Sequence, residues 1–151
     1  MTKPPQEPDQ LRIRRAKLSD ATDLADLSGQ LGYPATPKEL RVRLGRMKPA
    51  SLHAVFVAEF QKRVVGWLHV SVSHLLETPL RAEVNGLVVS EKHRSRGAGA
   101  RLLAVAEDWA RKKKCTGVSV RSNVIRERAH QFYERNGYRH IKTQKAFRKP
   151  L

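Results

Sequence analysis

The chain has a single cysteine, Cys115, so no disulfide can form within it and no cysteine cluster can hold a metal. Acidic residues are scarce, with 14 Asp and Glu against 30 Lys and Arg and a formal net charge of +16. Aromatic residues make up only 6% of the chain. No stacking platform or recognition-helix pattern accompanies the basic charge, so a nucleic-acid partner is not expected. No apolar run approaches the roughly 20 residues that cross a bilayer. The opening stretch from Met1 to Gln10 is polar and rich in proline, without the apolar segment of a signal peptide. These absences predict a cytoplasmic protein with no metal centre and no membrane partner.

What remains is enough for a core. A length of 151 residues and a hydrophobic fraction of 40% predict one globular domain over 11–151 behind a disordered tail over 1–10. The basic charge is uneven. Residues 1–90 carry 13 basic and 9 acidic side chains, and residues 91–151 carry 17 and 5. A basic C-terminal half suits an anionic partner or a phosphorylated cosubstrate. Cys115 reads as a packing residue at a helix end rather than as a nucleophile.

The periodicities predict the order β-α-α-β-β-β-α-β-α-β. Alternation marks a first strand over 11–17. Ser19 or Asp20 can cap a helix that carries Leu24, Leu27 and Leu31, ending at Gly32-Tyr33-Pro34. Thr36, Pro37 and Glu39 open a second helix with capping-box spacing. Strands follow over about 53–60 and 64–73, joined by the polar turn at 61–63. Another strand covers 82–89, a helix about 97–114 and a strand 116–121. A final helix over 126–135 stops at Gly137, and 138–147 is expected to return as a strand.

The junction between the strand at 82–89 and the next helix carries the chemistry. Arg94-Ser95-Arg96-Gly97-Ala98-Gly99 places small residues at a helix start, where backbone N–H groups can approach an anion and the dipole favours one. Flanking arginines can pair with phosphate oxygens. No Gly-Lys-Ser/Thr follows, which excludes a Walker loop, and the third glycine of a dinucleotide fingerprint is missing.

This strand, loop and helix, Leu87 to Leu103 with its Arg-x-x-Gly-x-Gly run, resembles the GNAT superfamily of acetyl-CoA-dependent N-acetyltransferases. A second stretch, Ala129 to Tyr138, is similar to the family's helix that ends in a Phe-Tyr pair and a Gly-aromatic step. The resemblance runs from about Leu11 onward. It implies a three-layer α/β (α+β) fold, with a mixed, mostly antiparallel sheet of six to seven strands flanked by about four helices. It also implies that the backbone of Leu87, Val88 and Val89 pairs with the pantetheine arm of acetyl-CoA. Arg94, Ser95, Arg96, Gly97, Ala98, Gly99 and Ala100 would hold its pyrophosphate.

By the same resemblance, Tyr133 would protonate or hydrogen-bond the leaving thiolate; a packed core tyrosine is the other reading of that position. An attacking amine must be neutral, so a proton acceptor is needed. Glu83, on the strand before the loop, is the first candidate, with His69, His74 and Glu77 as competitors. Many family members carry an Asn seven residues before the tyrosine, where this chain has Arg126. Asn123, ten before it, or Arg126 would then contact the cosubstrate. The expected acceptor is a small-molecule amine, with aminoglycoside-type enzymes among the relatives. Six acids, Asp20, Asp23, Asp26, Glu59, Glu77 and Glu83, could build an acidic cleft for a cationic acceptor. A non-catalytic acyl-CoA sensor and a protein lysine or N-terminal acetyltransferase are the alternatives. A homodimer follows from family analogy alone.

Overall fold

A computed structural model describes residues 10–47, 51–94 and 96–151. The chain divides into two compact units, one up to Val120 and one from Arg121 to Leu151. The first contains β1 (Arg12–Arg15), α1 (Ala21–Leu31), α2 (Pro37–Arg46), β2 (His53–Phe60), β3 (Arg63–Ser73), β4 (Arg81–Val89), α3 (Ala98–Lys112) and β5 (Val118–Val120). The second contains α4 (Glu127–Arg135).

The five strands form one sheet in the order β1-β2-β3-β4-β5. The first four pair antiparallel, and β5 joins β4 in parallel after the α3 crossover. Gln61 and Lys62 turn the β2–β3 hairpin with φ of 50° and 62°. Two positive φ values give the tight turn whose twist matches the strands it joins.

One sheet face is closed by α1 and α2. Leu24, Leu27, Val57, Val64 and Val88 form a buried cluster, with Leu31, Leu40, Leu44 and Trp67 packed against it. The opposite face receives α3, whose Leu102 and Leu103 are fully buried. Each such leucine stabilises the fold by roughly 1.5–3 kcal/mol. Thr36 caps α2 by accepting a hydrogen bond from Glu39 N at 3.2 Å, half of the expected box. The Glu39 carboxylate turns instead to Arg43.

Two expectations need correction. The sheet has five strands among the described residues, not six to seven, because 138–147 forms no strand. Alternation supplies a surface suited to a sheet, but a strand exists only where a neighbour completes its ladder. The first-turn acid Asp20 does not cap α1 with its side chain. Its carboxylate accepts two bonds from the Arg14 guanidinium, at 2.8 and 2.9 Å, and one from Lys17 N at 2.7 Å. Ser95 and most of the expected N-terminal tail lie outside the described residues.

Candidate active site

Strand β4 keeps two partners over only part of its length. Against β3 the register shifts: Val70 faces Val84 and His69 faces Gly86, leaving Asn85 as an extra residue. On its other side, β5 pairs only with Ala82, Glu83 and Val84. Within this unit the β5-side edge of 85–89 therefore carries no strand. An extended ligand with amide donors and acceptors can add there as a strand would. Leu87, Val88 and Val89 lie on this stretch.

The edge leads into the loop before α3. Ser90 N donates to Val65 O at 2.7 Å, and a 3-10 turn follows over Glu91–His93. Glu91 N donates to Gln30 Oε1 at 3.3 Å, which ties the loop to α1. Gly97 then adopts φ +80°, and no atom stands within 4 Å of where a Cβ would project. Helix α3 begins at Ala98 with no side-chain cap and no acid in its first turn. Its first amides, at Ala98, Gly99 and Ala100, have no intrahelical acceptor and, among the described residues, no side-chain acceptor, at the positive end of the dipole. Arg94 and Arg96 are exposed beside them, and the Arg96 guanidinium stacks 5.0 Å from the Phe60 ring centre. Backbone amides, open space and positive charge meet at this helix start.

Below the bulge, the α1/α2 face of the sheet becomes polar. Glu83 is half-buried and paired with Ser71, so their side chains share this face. Asn85 Nδ2 donates to Ser71 Oγ at 2.8 Å. His69 lies two residues along β3, and its Nε2 is 3.2 Å from His53 Nδ1 on β2. The two rings stack with centroids 5.5 Å apart. Burial, with the nearby His53 charge adding to it, pulls the His69 imidazole down from 6.5 to about 4, so it is neutral at neutral pH. His74 and Glu77 are exposed in the β3–β4 connection.

Of the six acids expected to make a cleft, three are committed elsewhere. Arg14 bonds both Asp20 and Glu59, the latter at 3.1 Å. The guanidinium holds the Asp20 carboxyl below its ordinary range. Asp23 pairs with Arg63 at 2.9 Å and also accepts from Val64 N. The acidic cleft of the sequence reading is therefore not assembled from these side chains.

In the second unit, Tyr133 lies on α4 between Phe132 and Tyr138, with ring centroids 5.3 and 5.9 Å away. Burial raises its hydroxyl above the ordinary value near 10, with the Arg126 charge opposing the rise. The phenol is thus protonated at neutral pH and available as a donor. Arg126 precedes α4, half-buried. Asn123 shapes the turn before it: Oδ1 accepts from Ile125 N at 3.1 Å, and its carbonyl accepts from Arg126 N at 3.0 Å. Its side-chain oxygen has a local structural task. Burial also raises the Cys115 thiol, which suits a packing residue and not a nucleophile. Among the described residues no group of His, Cys, Asp and Glu could hold a metal, and no helix is long and apolar enough to cross a membrane.

The sequence reading missed His53, the Asn85 bulge and the Arg14 cluster. His53 comes beside His69 through the register shift between Ala58 and Glu59, which no local sequence signal marks.

The chain belongs to the acetyltransferase (GNAT) family, whose model matches residues 21–138 and so runs across the boundary between the two units. It is 26% identical over 137 residues to an uncharacterized N-acetyltransferase, YhfO, of Bacillus subtilis, covering 85% of this chain and 89% of that one. It is 35% identical over 86 residues to an aminoalkylphosphonate N-acetyltransferase of Salmonella typhimurium, covering 55% and 56%. The fold matches that of the aminoglycoside N-acetyltransferase AAC(6')-Iy in complex with CoA, with a TM-score of 0.83 at 16% identity over 94% of this chain and 96% of that one. Glucosamine-6-phosphate N-acetyltransferase from Arabidopsis thaliana has a TM-score of 0.80 at 19% identity, with 93% and 99% covered. The protein is an N-acetyltransferase of this family.

Proposed function

We propose that the enzyme uses acetyl-CoA and passes the acetyl group directly to a primary amine of a small molecule. The observation that carries this reading is the open edge of β4 running into an uncapped α3 N-terminus behind Gly97. Pantetheine amides pair with Leu87, Val88 and Val89. The first-turn amides of α3, with Arg94 and Arg96, take the pyrophosphate. The amine nitrogen attacks the thioester carbon, the C–N bond forms, and the C–S bond breaks as the Tyr133 hydroxyl protonates the departing thiolate. Glu83 draws the ammonium to the polar face, and Glu83 and His69 are the groups able to take its proton. Arg126 is better suited than Asn123 to the cosubstrate's phosphates, because its guanidinium is cationic and offers several donors.

The acceptor carries modest or negative charge beyond its amine. Asp20, Asp23 and Glu59 are held in ion pairs, so a polycation finds few acids to meet it. Arg81 shares the Glu83 face, opposite Ser73, and suits an anionic group on the substrate. The similarity to an aminoalkylphosphonate N-acetyltransferase supports the same class.

The test is release of free thiol from acetyl-CoA with a panel of aminoalkylphosphonates, amino acids, neutral amines, aminoglycosides and basic peptides. Turnover highest with anionic small amines is expected. Turnover confined to aminoglycosides or peptides would overturn the acceptor class. Tight acetyl-CoA binding with no turnover for any amine would leave a sensor instead.

A further inference from the structure

Resting on the proposed function, we infer that His69 and His53 form a two-imidazole relay that carries the acceptor amine's proton out of the site. The pair sits where the proton must be lost. His69 faces Gly86, beside the Asn85 bulge where β4 opens. His53 is the first residue of β2, at the strand end. The 3.2 Å contact between His53 Nδ1 and His69 Nε2 is a hydrogen bond that needs one proton between two ring nitrogens. It leaves His69 Nδ1 and His53 Nε2 as the two outer ends of a continuous path.

The chemistry balances as follows. With Nε2 of His69 protonated and Nδ1 of His53 accepting, His69 Nδ1 has a lone pair for the amine. As the C–N bond forms, the amine N–H proton passes to His69 Nδ1. The His69 Nε2 proton passes to His53 Nδ1, and His53 sheds its Nε2 proton to water. Charge never has to rest on the buried ring, whose basicity is held down at about 4 by desolvation. A lone imidazole there would be a poor base. A hydrogen-bonded second imidazole makes it a competent conduit.

The charged groups around the pair are few. From β4, Glu83 and Arg81 share its face. Just after β1, Ala16 brings no charge to the edge, its N–H bonding Val55 O. Asp20, before α1, is occupied by Arg14, the α1 acid Asp23 by Arg63 with Val64 N, and the α1 acid Asp26 is exposed. The charged side chains of α2, Lys38, Glu39, Arg41, Arg43 and Arg46, are exposed. The relay thus separates two roles on one face: Glu83 attracts the ammonium and the histidines remove its proton.

The decisive measurement is a proton inventory of kcat/KM in H2O/D2O mixtures, with the slowest amine the enzyme accepts. The native enzyme should give a curved inventory, from the three protons the relay moves together, and His53→Gln a linear one. His69→Gln should lower kcat/KM about 100-fold, within the range of a lost general base, with acetyl-CoA affinity within twofold and partial rescue by added imidazole. A linear or flat inventory in the native enzyme overturns the relay even if a variant fails to fold. So does native-like turnover by either variant. Absence of turnover with every amine is a different result, because it removes the proposed function itself.

Discussion

Replacing Gly86 with alanine tests whether the face of the sheet around the bulge is as tightly built as the geometry implies. A Cβ at Gly86 would stand 2.7 Å from Cη2 and 2.8 Å from Cζ3 of the Trp67 ring. Ordinary carbon contacts are about 3.5–4.0 Å, so one of the two groups must move by nearly an ångström. The indole has little room to do so. Trp67 packs against the cluster of Leu24, Leu27, Val57, Val64 and Val88 beneath α1 and α2. Overpacking of this kind costs about 1–3 kcal/mol. In a chain of this size, about 2 kcal/mol lowers Tm by roughly 4–8 °C. Denaturant unfolding of Gly86→Ala, Trp67→Leu and the double variant forms a cycle. Trp67→Leu alone loses buried area and destabilises. In that background the added methyl meets no ring, and its cost should fall below about 0.5 kcal/mol. A Gly86→Ala protein as stable as the parent, or an equal loss in both backgrounds, would refute the steric argument. Because His69 faces Gly86, the same variant should also lower turnover.

Tyr133→Phe should cut turnover at least tenfold at unchanged acetyl-CoA affinity, since it deletes the donor and keeps the ring; equal turnover would return Tyr133 to a packing role. Asp20→Asn should lose about 1–3 kcal/mol of stability at neutral pH, with Glu59 left to hold Arg14. The Asp20 pKa is lowered on folding, so its contribution is present above the unfolded value of 3.8 and lost as pH falls through the folded one. Urea melts should therefore show the parent and variant converging in acid, and a constant gap at every pH would contradict this origin. Gly97→Ala should cost about 1–2 kcal/mol through its left-handed backbone. Arg96→Ala should weaken acetyl-CoA binding more at low salt than at high salt, because the guanidinium is exposed; equal loss at both would show that its charge is not what binds.

The sequence determined the local features of this protein, because local chemistry is what a sequence states directly. Small residues flanked by arginines after an apolar strand specify an anion-binding helix start. Thr36 specifies a cap, and Leu24 and Leu27 specify a buried helix face. The family was legible in the same stretch and in Ala129 to Tyr138, and its model matches across both. Tertiary structure decided whatever depends on a partner far along the chain. The order of elements puts a strand over 138–147, but no ladder forms there. Asp20 looks like a helix cap until Arg14 reaches it across the 3-10 turn at Leu18–Asp20. His53 and His69 are sixteen residues apart and meet only because the register of β2 on β3 shifts between Ala58 and Glu59, which pairs His69 with Val55 and puts both rings on one face. The proposed donor site is written in one continuous segment, whereas the proposed acceptor face is assembled from three strands, and pairing register decides which side chains share it.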